Sequence, residues 1–234
     1  YEAEKAKYDE KIRQREAQAA KKGKKPGGRP PQPPTAGPRD KDQYNFTDPE
    51  SVIMKNPNNK GFDQHYNTQV AVDQNSLLIV ALTLSNHPTD RQQALATVDA
   101  IAPALGTPQA AALDAGYWSE ANVKGLKARG IDPYIATGRE PHQQNWRINF
   151  AQQPEPPAAS ASAIEKMAYK LRTDMGRAIY RLRKCTVEPV IGIIKEVLGF
   201  RQFSLRGLPA ATGEWVLVCL AFNLKRLHTL RFNS

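Results

Sequence analysis

Two adjacent β-rich segments limit what this chain can fold into more than any other feature of its sequence. Residues 66–72 (Tyr-Asn-Thr-Gln-Val-Ala-Val) alternate polar and apolar side chains, and residues 77–84 form a continuous apolar run. The residues between them, Asp-Gln-Asn-Ser at 73–76, are typical of a tight turn. The pattern therefore predicts a β-hairpin whose second strand is buried.

Helical and strand-like patterns alternate after this hairpin. The predicted elements are, in order, a strand within 46–54, the hairpin, a helix over 91–105, a strand over 109–113, a helix over 120–129, a strand over 131–136, a helical stretch over 167–198 interrupted at Gly176 and Pro189, and a packed terminal helix over 213–230. Three antiparallel strands, then helix, strand, helix and strand, then a long helix is the order of the ribonuclease H-like fold, although other α/β folds share parts of it. We therefore predict an α/β domain over 45–234, with a mixed sheet, flanking helices and a loose insertion at 137–166.

The first 44 residues differ in composition from this domain. Residues 2–22 are rich in Ala, Glu, Lys and Arg with almost no apolar stripe, which predicts an exposed helix or charged arm. Residues 23–38 are rich in Pro, Gly and basic side chains, which is typical of an extended linker. The Gly-Gly-Arg-Pro segment at 27–30 also resembles hooks that insert an Arg into a narrow DNA groove. Because the chain begins with Tyr1 rather than Met, we expect a longer protein.

Basic residues are concentrated in two parts of the chain. The sequence has 33 Lys and Arg against 23 Asp and Glu, a net charge of +10. Residues 1–39 and 167–206 each carry +6, whereas residues 40–166 carry −4. An excess of this size makes a polyanion the first partner to consider. The longest apolar run is too short to cross a bilayer, and two Cys and four His offer neither a disulfide scaffold nor a zinc spacing.

Asp114 is the strongest candidate for chemistry in the acidic middle of the chain. It follows the predicted strand over 109–113, and open α/β sheets place their sites at the carboxyl ends of strands. The alternative is that Asp114 caps the helix that follows, a position that this residue type favours.

Glu188 is an isolated acid in the basic segment that ends at Arg206. Its basic neighbours are Arg181, Arg183, Lys184 and Lys195. On a helix, Glu188 and Lys195 are two turns apart on one face, and Lys184 lies one turn before Glu188. The simplest interpretation is a set of surface salt bridges. Pro189 predicts that Glu188 lies near a helix start or a kink, which favours a site.

Together these segments resemble the DDE transposases of bacterial insertion sequences, in the branch with a Tyr-Arg-Glu-Lys signature. That signature is Tyr, two residues, Arg, three residues, Glu, six residues, Lys. Tyr180 and Arg183 have the required spacing, and so do Glu188 and Lys195, but one extra residue separates Arg183 from Glu188. Lys184 has the required distance to Glu188 instead. Further blocks in family order are found at 47–51, 66–73, 114–119, 187–190 and 201–207.

The resemblance implies a ribonuclease H-like catalytic domain that holds two Mg²⁺ ions between three carboxylates, with Mn²⁺ as a substitute. By the resemblance, Asp114 is the second of these three carboxylates and Glu188 the third. Asp48 is assigned as the first, and the alternative for the first carboxylate is Asp73, which lies in the predicted turn. Asp90 is a more distant option and resembles a helix cap.

The implied reaction is cleavage at the end of a mobile element by water, followed by attack of the freed 3′-hydroxyl on target DNA. Tyr180, Arg183 or Lys184, and Lys195 would hold phosphates. The implied partners are double-stranded DNA and a second copy of the chain in a synaptic homodimer, with no membrane, in the bacterial cytoplasm at the nucleoid. Two alternatives are a degenerate transposase remnant that only binds DNA and a host nuclease of the same fold.

Overall fold

The computed structural model describes residues 2–22, 30–34, 37, 43–55, 61–138 and 155–232. The chain divides into two units, Tyr1–Tyr44 and Asn45–Ser234. In the first unit, Glu2–Lys22 forms helix α1, whose sequence has no continuous apolar stripe to bury. Most of the predicted linker lies outside the described residues, including the Gly-Gly-Arg segment at 27–29.

Two antiparallel hairpins begin the second unit. They pair β1 (Val52–Lys55) with β2 (Phe62–His65), and β3 (Asn67–Val72) with β4 (Ile79–Ser85). The second hairpin is the one that the sequence predicts over 66–84. Along β3, Val70 and Val72 pack against an apolar core, while Asn67 and Gln69 alternate with them and so lie on the opposite face of the strand.

A parallel strand pair with a connecting helix follows. Its elements are α2 (Gln93–Asp99), β5 (Ala110–Leu113), α3 (Glu120–Ala128) and β6 (Asp132–Ile135). Parallel strands need a long crossover, and α3 supplies it. The Ser119 side chain begins α3 by accepting a hydrogen bond from the Asn122 N–H at 3.0 Å. The helix predicted over 91–105 is shorter in the structure, and a separate 3₁₀ turn, Pro103–Leu105, follows it.

The α/β class is confirmed, but a single mixed sheet is not seen in the described residues. The strands form three two-stranded sheets, and β1 pairs only with β2. Much of the segment predicted as a first strand, 46–54, is a turn instead, because Asn45 Oδ1 accepts hydrogen bonds from the N–H groups of Thr47 and Asp48. Backbone donors used in this turn are not available to a sheet ladder. The ribonuclease H-like sheet therefore stays a prediction.

Three helices make up the end of the chain. They are α4 (Ala163–Arg172), α5 (Asp174–Gly192), which continues into a π-helical turn at Ile193–Val197, and α6 (Leu208–Phe232). The interruption predicted at Gly176 falls at Thr173, whose side chain caps α5 by accepting a hydrogen bond from the Gly176 N–H at 3.1 Å. Pro189 lies inside α5 rather than at its start.

Part of the predicted insertion, 139–154, lies outside the described residues. Residues 155–162 contain no helix or strand, and α4 begins at Ala163. Its start is a capping box, in which Ser162 and Glu165 each accept a hydrogen bond from the other's backbone N–H.

Two apolar cores hold the second unit together. The first contains Ile79, Val190, Ile194, Trp215, Cys219 and Phe222, and the second contains Val123, Leu126, Ile131, Ile135 and Met167. Helix α5 packs against β3, β5 and β6, so it spans from the second hairpin to the parallel pair. No helix within the described residues is long and apolar enough to cross a membrane.

Candidate active site

Asp114 projects from the carboxyl end of β5, as the sequence predicts. One carboxylate oxygen accepts a hydrogen bond from the Ala115 N–H at 2.7 Å, so Asp114 caps the 3₁₀ turn Ala115–Tyr117. The helix that follows, α3, is capped by Ser119 instead. The Asp114 side chain is 59% exposed, which leaves its carboxylate accessible to a ligand.

Arg183 connects helix α5 to this strand end. Its Nη1 atom lies 3.6 Å from Asp114 Oδ2, and its side chain is only 17% exposed. Its Nε atom is buried and has no hydrogen-bond partner among the residues that the structure describes. The guanidinium carbon lies 5.5 Å from the centre of the Tyr180 ring, a cation–π distance. Two segments far apart in the sequence therefore meet at one place.

Glu188, Lys184 and Lys195 are exposed, unlike Arg183. Within the described part of the chain, Glu188, Lys184 and Lys195 form no hydrogen bond or ion pair, so the surface salt bridges that the spacing suggests are absent there. Pro189 predicts a helix start or a kink near Glu188; the helix start is wrong, because α5 begins at Asp174 and continues to Gly192, and the kink stays a prediction. Lys195 lies in the π-helical turn, which has more residues per turn than an α-helix and changes the face on which Lys195 projects.

Asp48 is held against the start of helix α6. The Tyr66 hydroxyl donates to both of its carboxylate oxygens at 2.8 Å, and the Gly207 N–H donates to one of them at 3.2 Å. Asp48 is 9% exposed. Burial, followed by the hydrogen bond to Asp48 and the charges of Asp48 and Glu50, raises the pKa of Tyr66 far above its ordinary value. Asp48 therefore has a structural task in this arrangement.

Asp73, the alternative for the first metal-binding carboxylate, makes hydrogen bonds within the hairpin turn. Its carboxylate accepts hydrogen bonds from the Ser76 hydroxyl at 2.7 Å and the Ser76 N–H at 2.8 Å. These bonds to Ser76 lower the pKa of Asp73, because they favour the charged form.

Asp90, the more distant option for the first acid, lies beside the turn that Asp114 caps, and sequence reasoning did not predict this closeness. It is the first residue of the 3₁₀ turn Asp90–Gln92, whose N-cap is Thr89, so Asp90 is not the helix cap that the sequence suggests. Its carboxylate instead accepts from the side-chain amides of Asn67 and Gln69, at 2.8 and 2.9 Å. The available signal was the pair of polar residues at alternate positions of β3, which places both on one face of the strand.

A family model described as a transposase DDE domain matches residues 34–224, a span that includes all these carboxylates. The chain belongs to the DDE transposase family. No curated protein and no solved structure matches it. The family identity makes a divalent metal ion the expected cofactor of this DDE domain, since DDE transposases generally use such ions.

The acidic residues of this DDE domain have the oxygen ligands that Mg²⁺ prefers, but they do not converge in the described arrangement. No group of three or more His, Cys, Asp and Glu side chains within the described ranges could hold a metal ion. Asp48 is bound at α6, Asp114 faces Arg183, and Glu188 is exposed on α5. The structure thus brings Asp114 and Arg183 together and does not assemble the three carboxylates.

Proposed function

We propose that residues 45–234 are the catalytic domain of a transposase that cleaves DNA at the ends of a mobile element and joins the freed ends to target DNA. The domain would belong to the insertion-sequence branch with the Tyr-Arg-Glu-Lys signature, and residues 1–44 would form a charged arm and basic linker. Its acidic residues would be Asp48, Asp114 and Glu188. The proposal includes a homodimer on double-stranded DNA in the bacterial cytoplasm, at the nucleoid.

The contact between Asp114 and Arg183 carries the proposal. An acid at the carboxyl end of a strand is where α/β folds place a site, and Arg183 brings to that acid the helix that also carries Tyr180 and Glu188. The family match over residues 34–224 supports the same assignment.

The chemistry of Arg183 suits a DNA substrate. A guanidinium binds phosphate through paired N–H donors, so a DNA phosphate can replace the carboxylate of Asp114 as its partner. Lys184 and Lys195 are exposed and would add point charges along the backbone of the DNA.

Mg²⁺ is the ion that we propose, in two copies and with Mn²⁺ as a substitute. Ligation of the ions by all three acids requires a change from the described arrangement, in which Asp48 and Asp114 already have partners. Release of Asp114 by Arg183 when a phosphate binds is one part of that change.

The substitutions Asp114→Asn and Glu188→Gln test the assignment, because each removes a charge with little change in size. We expect each to lower the rates of nicking and strand transfer at least about 100-fold on plasmids that carry the DNA flanking the gene. DNA affinity should stay close to that of the parent chain. Asp99→Asn is the matched control, since Asp99 is exposed and pairs with Arg129 at the surface.

The same assay separates the alternatives. Nicking at the parent rate in either variant would refute the assigned site. If the parent chain binds DNA but never nicks it with Mg²⁺ or Mn²⁺, the interpretation as a degenerate remnant is supported. For the first acidic residue, Asp48→Asn should abolish nicking and Asp73→Asn should not.

A further inference from the structure

Two short turns lie side by side next to the Asp114 carboxylate. The first is the 3₁₀ turn Asp90–Gln92, and the second is the 3₁₀ turn Ala115–Tyr117 that Asp114 caps. A Cβ atom at Gly116 would lie 3.0 Å from Asp90 Oδ2, tighter than about nine in ten real contacts of such atoms. With glycine at 116 the Asp90 side chain can keep its position against the second turn.

Hydrogen bonds from strand β3 hold Asp90 in this position. Asn67 and Gln69 donate to Asp90 Oδ1 at 2.8 and 2.9 Å, and Gln69 is only 4% exposed. Gln69 also accepts a hydrogen bond from the Tyr117 hydroxyl. Burial, followed by the charges of Asp90 and Asp114, raises the pKa of Tyr117, which keeps the phenol protonated as a donor. Both turns are thus anchored to Gln69 on the strand, and Asn67 adds a second bond to the Asp90 turn.

Asn122 ties the two turns to each other. Its side-chain amide donates to the carbonyl of Tyr117 at 2.7 Å and to the carbonyl of Arg91 at 2.8 Å. Asn122 is 3% exposed, so these bonds are shielded from water. A satisfied polar network in the interior fixes one geometry, because each unmade bond would leave a buried polar group without a partner.

We propose that Asp90 is a positioning residue for Asp114: it holds its own turn on strand β3, and this turn, joined to Ala115–Tyr117 through Asn122 and close to Gly116, determines where the Asp114 carboxylate projects. The catalytic meaning of this role rests on the proposed function, whereas the mechanical role does not. Both amides donate to the same oxygen, Oδ1, and hydrogen bonds to a charged carboxylate are stronger than those to a neutral amide. An amide in its place would keep one acceptor oxygen but lose the charge, and it would put two further donors where Oδ2 lies.

Asp90→Asn tests the role with two independent measurements, hydrogen exchange of the whole protein and single-turnover cleavage of DNA. The Tyr117 and Trp118 amides, bonded to the carbonyls of Asp114 and Ala115, report the order of the turn. We expect their exchange to become roughly 10-fold faster or more, with exchange along α6 unchanged. We expect cleavage to slow by about 10- to 100-fold at unchanged DNA affinity, the cost of a small misplacement of a reacting group.

Two further variants sharpen the test. Gly116→Ala adds one methyl group to an exposed turn, pushes against the Asp90 carboxylate and should reproduce both effects without any change at Asp90. Asp99→Asn removes an acid on α2 that pairs with Arg129, and should change neither measurement. If Asp90→Asn fails to fold, Gly116→Ala decides the question alone.

The outcomes separate this proposal from the proposed function. It is overturned if Asp90→Asn leaves the turn amides and the cleavage rate at control levels, or if exchange accelerates equally throughout the chain in both variants. Loss of cleavage in Asp114→Asn without loss in Asp90→Asn would refute the positioning role and keep the transposase activity. If exchange accelerates only at the turn but the parent chain never cleaves DNA, the positioning role is kept and the transposase activity is refuted.

Discussion

At the scale of single residues, two of the three proposed catalytic acids already have partners inside the protein. Asp48 accepts from Tyr66, and Asp114 faces Arg183. A carboxylate as buried as Asp48 needs such hydrogen bonds, because charge removed from water is costly without them. These partners therefore stabilise the fold. In the proposed reaction, however, Tyr66 must release Asp48 and Arg183 must release Asp114 before the two acids can bind metal ions.

The hydrogen bonds between Tyr66 and Asp48 should contribute measurably to stability. We expect Tyr66→Phe to lower the free energy of unfolding by about 1–3 kcal/mol, because a buried carboxylate loses its hydroxyl donor. Urea denaturation of Tyr66→Phe, Asp48→Asn and the double variant measures this in a double-mutant cycle. Strictly additive effects would show that the two residues do not interact.

Local rules predict the place of Asp114 but not its neighbours. Its position at the end of β5 follows from the apolar run at 109–113 and the turn residues after it. The contact of Asp114 with Arg183, and the approach of its turn to Asp90, depend on packing between segments far apart in the sequence, which periodicity does not record. Asp48 was predicted as a site residue from resemblance alone, and its bonds to Tyr66 and Gly207 gave no signal in the sequence.

At the scale of elements, segments with a clear period are predicted well and their connections less well. The hairpin of β3 and β4 and the helix α3 follow the sequence pattern closely. The break between α4 and α5 falls at Thr173 rather than at Gly176, because Thr173 supplies a side-chain cap. Gly176 has a different purpose, since it packs closely against the end of the preceding helix.

The contact at Gly176 yields a sharp prediction for the junction of α4 and α5. A Cβ atom there would lie 1.9 Å from the carbonyl oxygen of Lys170, so the two helices would have to shift. We expect Gly176→Ala to destabilise the protein by about 1–3 kcal/mol or more, as overpacked sites do. Circular dichroism during thermal unfolding would measure the change.

The control for this junction is a glycine inside a helix with open space around it. Gly213 lies on an exposed position of α6, and a Cβ atom there would meet nothing within 4 Å. Gly213→Ala should therefore raise stability by up to about 1 kcal/mol, the usual gain of Ala over Gly in a helix. Equal effects of the two substitutions would contradict the packing at Gly176.

At the scale of the whole molecule, the arrangement of charge is more informative than its total. The net charge is +10, yet residues 40–166 are acidic overall and residues 167–206 carry +6. Helix α5, which lies in that basic segment, also packs against the parallel strands β5 and β6, and Asp114 directly follows β5. This arrangement predicts that DNA phosphates bind directly to residues 167–206, the late basic segment. The alternative is that the net charge of the whole protein attracts the DNA without such contacts.

Two lysines of equal charge and similar exposure distinguish these possibilities. Lys184 lies in the late basic segment and Lys124 on α3, both are exposed, and each Lys→Gln substitution lowers the net charge by the same amount. If Lys184 neutralises a phosphate, Lys184→Gln should reduce the steepness of the dependence of log K on log salt by about 0.9, because one fewer counterion is released. Lys124→Gln should leave that slope unchanged. Equal slopes for both variants, measured by fluorescence anisotropy on a duplex oligonucleotide, would mean that net charge alone attracts the DNA.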